Sequence, residues 1–123
     1  MILFLKAYLH LLRVERRIAQ HDFAGLYQKV RQYACTARDA TADDIARACP
    51  AVDKACAFYW KPVLCLQRSA ATACLLRSQG VRAELVIGTQ PLPFRCHAWV
   101  EVDGQVVNDK PYMRSVYAVL ARC

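Results

Sequence analysis

"FRCHAWVEVDGQVVND", residues 94–109, alternates apolar and polar side chains on either side of Asp103-Gly104, the pattern of a β-hairpin. It places His97 near the start of one strand and Asp109 at the far end of the next. Two registers are open. A two-residue type I′ turn at Asp103-Gly104 pairs Val102 with Gln105, sets Asp109 opposite Ala98 and turns His97 and Asp109 to opposite faces. A three-residue loop of Val102, Asp103 and Gly104 instead pairs Glu101 with Gln105 and sets His97 directly across from Asp109. Directly opposed residues have Cβ atoms about 4.5–5.5 Å apart, close enough for a carboxylate to hold an imidazole. The second register is the one expected to permit chemistry.

Upstream, "CLQRSAATACLLRSQG" (residues 65–80) predicts one helix from about Leu66 to Gln79 with Gly80 as its C′ residue. "VRAELVIG" alternates as a strand, and the Pro-bounded "TQPLP" reads as a loop leading into the hairpin. The first half is helical. Leu5, Tyr8, Leu9 and Leu12 recur at three- and four-residue steps in a helix from Ile2 to about Ile18, and a second helix covers Phe23 to Tyr33. Thr41 is the expected N-cap of a third, with Asp43 and Asp44 in its first turn. Pro50 is expected to end or kink that helix and to begin another through Tyr59. Helices followed by an antiparallel sheet indicate an α+β fold. One domain over residues 1–123 is expected, with a helical region to residue 60 and a catalytic helix plus sheet from residue 61.

The chain has 123 residues, 56% of them hydrophobic, enough to bury a core. A net charge of +7 favours an anionic partner. Nucleic acid is not expected, because the arginines are spread through predicted helices and no zinc-finger, RNP or similar module accompanies them. Seven cysteines cannot all pair within one chain. The opening "MILFLKAYLHLL" lacks a basic n-region and a cleavage site and is too short to span a bilayer. A cytoplasmic protein with reduced thiols is therefore expected, with membrane association disfavoured.

A carboxylate on His97 would orient the imidazole and stabilise its cation, as the third member of a catalytic triad does. The candidate nucleophile is Cys65, placed by "KPV" at a helix start, where the helix dipole favours a thiolate. Each residue also has a structural reading: Asp109 as a strand-end cap, His97 as an ordinary hairpin residue, Cys65 as a small buried hydrophobe. No C-x-x-C pair accompanies the cysteines, so no metal or other cofactor is expected. Cys96, which alternation turns away from His97, is expected in the core. Ser69 and Arg68 read as folding residues, Ser69 bonding back to its helix and Arg68 pairing with an acidic neighbour. Trp99 and Glu101 fall on the His97 face.

Residues 65–109, with the "CL..RS" helix followed by "LVIG", "HAWVE" and "ND", resemble the transglutaminase-like leader peptidases that mature lasso peptides. The resemblance implies a papain-like site in which Cys65 is the nucleophile, His97 the general base and acid, and Asp109 the residue orienting His97. It implies cleavage of one peptide bond in a lasso precursor peptide, after which a separate cyclase of the asparagine-synthetase type would act on the freed amine. The helical first half shows no strand-rich recognition domain, so a separate leader-recognition protein is the expected delivery partner. Trp60 and Gln67 lie near enough in the chain to be candidates for an oxyanion donor beside the Cys65 N–H. Two other functions stay open on the residues: a transglutaminase-like amidase or acyltransferase on another peptide, and a non-catalytic scaffold that presents a precursor.

Overall fold

The computed structural model describes residues 2–20, 23–33, 42–91 and 94–123. The elements run α1 (Ile2–Ala19), α2 (Phe23–Gln32), α3 (Ala42–Ala57), α4 (Cys65–Ser78), β1 (Ala83–Pro91), β2 (Phe94–Val102), β3 (Gln105–Val106), α5 (Met113–Val116) and β4 (Ala118–Arg122). The strands form an antiparallel sheet in the order β3-β2-β1-β4. The fold is α+β, as expected.

α4 is the centre of the molecule. From Ser69 to Arg77 every residue is buried. The run Ser-Ala-Ala-Thr-Ala-Cys presents small side chains all round, so α1 and α3 close on one side of the helix and β1 and β2 on the other. Its end follows from Gly80, whose φ of 88° suits a residue without Cβ. Gly80 N–H donates to Arg77 O and Val81 N–H to Leu76 O, the paired bonds of a Schellman cap. Arg77 is buried and donates to the carbonyls of Val30, Ala83 and Cys123, so one guanidinium ties α2, β1 and the end of β4 to the helix.

Around this centre several expectations change. α3 does not stop at Pro50 but continues to Ala57. Proline removes the bond to the carbonyl of residue 46, but Ala46 and Pro50 are both exposed, so water can satisfy that carbonyl. In α1 the leucine stripe faces outward, with Leu5 and Leu9 58% and 46% exposed, while Ala7, Leu11 and Val14 make the core contact. β1 extends through Thr89–Pro91 rather than ending at Gly88. α5 and β4 were not read from the sequence. The Thr41 cap, Cys35 and the Leu92-Pro93 part of the "TQPLP" loop lie outside the described residues.

The sheet has two apolar faces. Leu85, Ala98 and Val100 belong to the main core with α4, whereas Val86 and Trp99 pack with Met113 and Tyr117 on the other side. α4 is joined to β2 by a short polar network. Ser69 Oγ donates to Ala98 O at 3.0 Å instead of bonding back to its own helix, and Asn108 Nδ2 donates to Ser69 Oγ at 3.1 Å. Asn108 Oδ1 accepts the Val100 N–H at 2.7 Å.

Two outcomes follow for stability. Asn108→Ala leaves the buried Val100 N–H without an acceptor, and urea denaturation should show a loss of about 2–3 kcal/mol. His10 is 7% exposed, stacks edge-on against Tyr33, and has its pKa lowered to about 4 by burial and by Arg13, Lys29 and Lys6. The folded state therefore keeps it neutral. Its contribution is full above the unfolded value of about 6.5 and is lost as pH falls toward the folded value, an effect on the order of 3 kcal/mol. His10→Gln should flatten the pH dependence of urea stability across that interval.

Candidate functional site

The hairpin adopts the two-residue-turn register, not the one expected to permit chemistry. Asp103 and Gly104 have φ of 52° and 77°, and Val102 pairs with Gln105 and Glu101 with Val106. Positive φ at both central residues is the type I′ turn, whose twist matches that of the flanking strands. A continued ladder would have kept Asp109 away from His97. The ladder does not continue. β3 is two residues long, and after Val107 N–H donates to Val100 O at 3.0 Å the chain bends through residues 107–109.

Asn108 makes the bend possible. Its side-chain oxygen takes the Val100 N–H that a straight strand would have satisfied with the Val107 carbonyl, so the backbone leaves the sheet with no donor lost. Arg68 donates to the Asn108 carbonyl at 2.5 Å and to Asp53 Oδ1 at 2.7 Å, bracing the bend from α4. Asp109 is thereby returned to the imidazole, with Oδ2 2.6 Å from His97 Nε2 and Oδ1 accepting the Lys110 N–H at 2.8 Å. Burial pushes the Asp109 carboxyl pKa up. The bonds from His97 and Lys110 and the charges of His97 and Arg68 outweigh that and hold it below the usual carboxylate value.

His97 is held on its ring faces as well. Tyr117 stacks on it with centroids 5.3 Å apart and planes 22° apart, and Trp99 stacks at 6.2 Å and 28°. Trp99 is fully buried and its Nε1–H donates to Glu101 Oε2 at 2.8 Å. Glu101 is 1% exposed and bonded to Arg122 at 2.9 Å. Burial alone would raise its pKa, but the bonds from Trp99 and Arg122 lower it. Gly88, across the ladder from His97, completes the arrangement: a Cβ there would lie 2.6 Å from the Trp99 ring and 2.8 Å from Tyr117 Cβ. Tyr117, Gly88 and Asn108 were not singled out in the sequence as site residues. Tyr117 lies 20 residues beyond His97, and only the pairing of β4 with β1 brings it back.

Cys65 is the first residue of α4 and half-buried. The preceding turn is fixed by Gln67, whose Oε1 accepts the Leu64 N–H at 2.9 Å while its Nε2 donates to Glu15 Oε2 at 3.1 Å; Glu15 also pairs with Lys61. That engagement turns the Gln67 amide into the core, and Trp60 is 73% exposed, its ring 5.0 Å from the Lys61 ammonium. Ser69, one turn after Cys65 on the same side of α4, is the residue bonded to Ala98 beside His97. The structure thus joins His97 to Asp109 and bonds Ser69, one turn into α4, to the residue after His97, with no hydrogen bond between the Cys65 thiol and His97. Among the described residues His97 Nδ1 has no hydrogen-bond partner.

The other thiols divide clearly. Burial raises the pKa of Cys49 and Cys74 to about 11 and also raises Cys56 and Cys123, keeping all four protonated near neutrality. Cys96 is exposed rather than in the core, because the first three residues of β2 extend beyond what α4 covers. Among the described residues no group of three or more His, Cys, Asp or Glu could hold a metal ion.

Comparison with known proteins gives this site a context. Over 57 residues the chain is 49% identical to the Microcin J25-processing protein McjB of Escherichia coli, a match covering 46% of this chain and 27% of that protein. The chain therefore aligns with about a quarter of its curated relative. No solved structure is significantly similar. The family model of the transglutaminase-like superfamily matches residues 8–122, nearly the whole sequence, and the chain belongs to that superfamily.

Proposed function

We propose that this protein is a cysteine peptidase that removes the leader from a lasso-type precursor peptide, with Cys65 as nucleophile, His97 as general base and acid, and Asp109 as the group that orients His97. The observation carrying the reading is the 2.6 Å bond between His97 Nε2 and Asp109, which leaves Nδ1 as the ring nitrogen for a thiol. The identity to a microcin-processing protein supports the substrate class. Delivery by a separate leader-recognition protein and later ring closure by an asparagine-synthetase-type cyclase belong to the same reading.

Each step uses a group of the proposed triad. His97 Nδ1 takes the Cys65 proton, and the Asp109 carboxylate, favoured by its lowered pKa, stabilises the resulting imidazolium. The thiolate attacks the scissile carbonyl, and the backbone N–H of Cys65, at a helix terminus where N–H groups lack intrahelical partners, faces the developing oxyanion. Collapse breaks the C–N bond as His97 passes its proton to the departing amine. Water, deprotonated by His97, then adds to the thioester; the carboxylate leaves and the thiol is restored. The closely packed aromatic rings around His97 limit its rotation, so the imidazole need not be reoriented between these steps.

The first test needs no substrate. Iodoacetamide at mildly acidic pH should alkylate Cys65 before the other cysteines, and His97→Ala or Asp109→Ala should slow it to the rate of an ordinary exposed thiol. Equal rates in the wild type and both variants would overturn the assignment. With precursor peptide and its delivery protein, Cys65→Ala should abolish cleavage, and Asp109→Ala should reduce kcat by roughly 100- to 10,000-fold.

A further inference from the structure

One edge of β2 is filled at one end and open at the other. The N–H and C=O of Val100 point to the β3 side, where they meet Asn108 Oδ1 and Val107 N–H. Strand alternation turns the backbone groups of Ala98, Cys96 and Phe94 to that same edge. β3 pairs only with Glu101 and Val102 and has ended before it could reach them. The Ser69 hydroxyl occupies the Ala98 carbonyl. Among the described residues nothing bonds to the Ala98 N–H or to the N–H and C=O of Cys96 from this side. Phe94, Arg95 and Cys96 are exposed, Phe94 to 72%.

A sheet edge left unpaired is a template for another strand, and proteins ordinarily blunt or cover it. Here the open position, Cys96, is the residue before His97, while Ala98 after it is buried with its carbonyl taken by Ser69. The start of α4, with Cys65 one turn before Ser69, is fixed to the same edge. We propose that this edge receives the substrate peptide as an added β-strand, held by main-chain hydrogen bonds to the N–H and C=O of Cys96, so that its scissile carbonyl is carried past His97 and Cys65. The proposal rests on the peptidase reading above and adds the mode of recognition. The ligand is an extended peptide segment read chiefly through its backbone. Because a strand presents its backbone groups to one side at every second residue, alternate substrate amides contact the edge and those between them face away.

The test uses acetyl-trialanyl chloromethyl ketone, whose methylene is attacked by the thiolate with loss of chloride to give a thioether, and chloroacetone as its equivalent without a peptide. Mass spectrometry follows modification at Cys65. The peptide reagent should react at least about tenfold faster than chloroacetone. N-methylation at alternate residues should cut its rate by about tenfold, while methylation at the intervening residue has little effect, since losing one hydrogen bond costs about this much. Cys96→Pro removes an edge N–H without touching the ladder to β1, and should slow the peptide reagent alone. A uniform response to N-methylation, or no advantage of peptide over chloroacetone, would overturn strand addition. So would a concentration-dependent dimer in which labelling of Cys65 falls as protein concentration rises, because a second copy would then occupy the edge. If chloroacetone also fails to modify Cys65, the nucleophile assignment itself falls, and the strand proposal with it.

Discussion

The carboxamide of Asn108 stands in for a backbone peptide, and the geometry around His97 depends on that substitution. Its oxygen accepts from Val100 where a straight β3 would have used a carbonyl, and its nitrogen reaches Ser69 on α4. A buried N–H must have an acceptor, so the chain can leave the sheet only where a side chain supplies one. Leaving it there allows Asp109 to turn back onto His97. The network Val100–Asn108–Ser69–Ala98 therefore fixes three things together: the end of β3, the position of the carboxylate, and the seating of the helix that carries Cys65.

That helix can be seated so closely because it carries almost no bulk. The alanines and small polar residues of α4 let it lie between the α1–α3 helices and the sheet, buried on all sides. Ser69 makes its hydroxyl bond to the strand rather than to the preceding turn, and Arg68 spans Asp53 and the Asn108 carbonyl. Residues that look like ordinary helix surface in the sequence are thus the connections between helix and hairpin. On the far face of the sheet, Gly88 has the complementary role. Its missing side chain admits the Trp99 ring, which with Tyr117 stacks on His97.

The electrostatics are local. Asp109 is partly buried, and burial alone would favour its protonated form, but the bonds from His97 and Lys110 reverse that. The same competition is decided oppositely at Cys49 and Cys74, where burial dominates and the thiols stay protonated. Cysteine number is therefore a poor guide to reactivity in this chain. What separates a nucleophile from a packed thiol is whether charged or hydrogen-bonding neighbours compensate for lost solvent.

The sequence by itself determined most of the elements. Periodicity located α1, α2 and α4, Gly80 marked the end of α4, and alternation with Asp103-Gly104 marked the hairpin, because these depend on local backbone preferences and on side chains only a few residues apart. It also singled out His97 and Asp109. What it could not decide was how they meet. The register inferred as necessary for their contact is not the one adopted, and the contact forms through a bend whose acceptor, Asn108, is satisfied by a serine 39 residues earlier in the chain. Which face of α1 packs inward, the unbroken course of α3 through Pro50 and the arrival of Tyr117 beside His97 were likewise settled by tertiary structure. Each turns on which surface meets which, and on whether a backbone group faces water or a distant side chain, and neither is encoded in a short window of sequence.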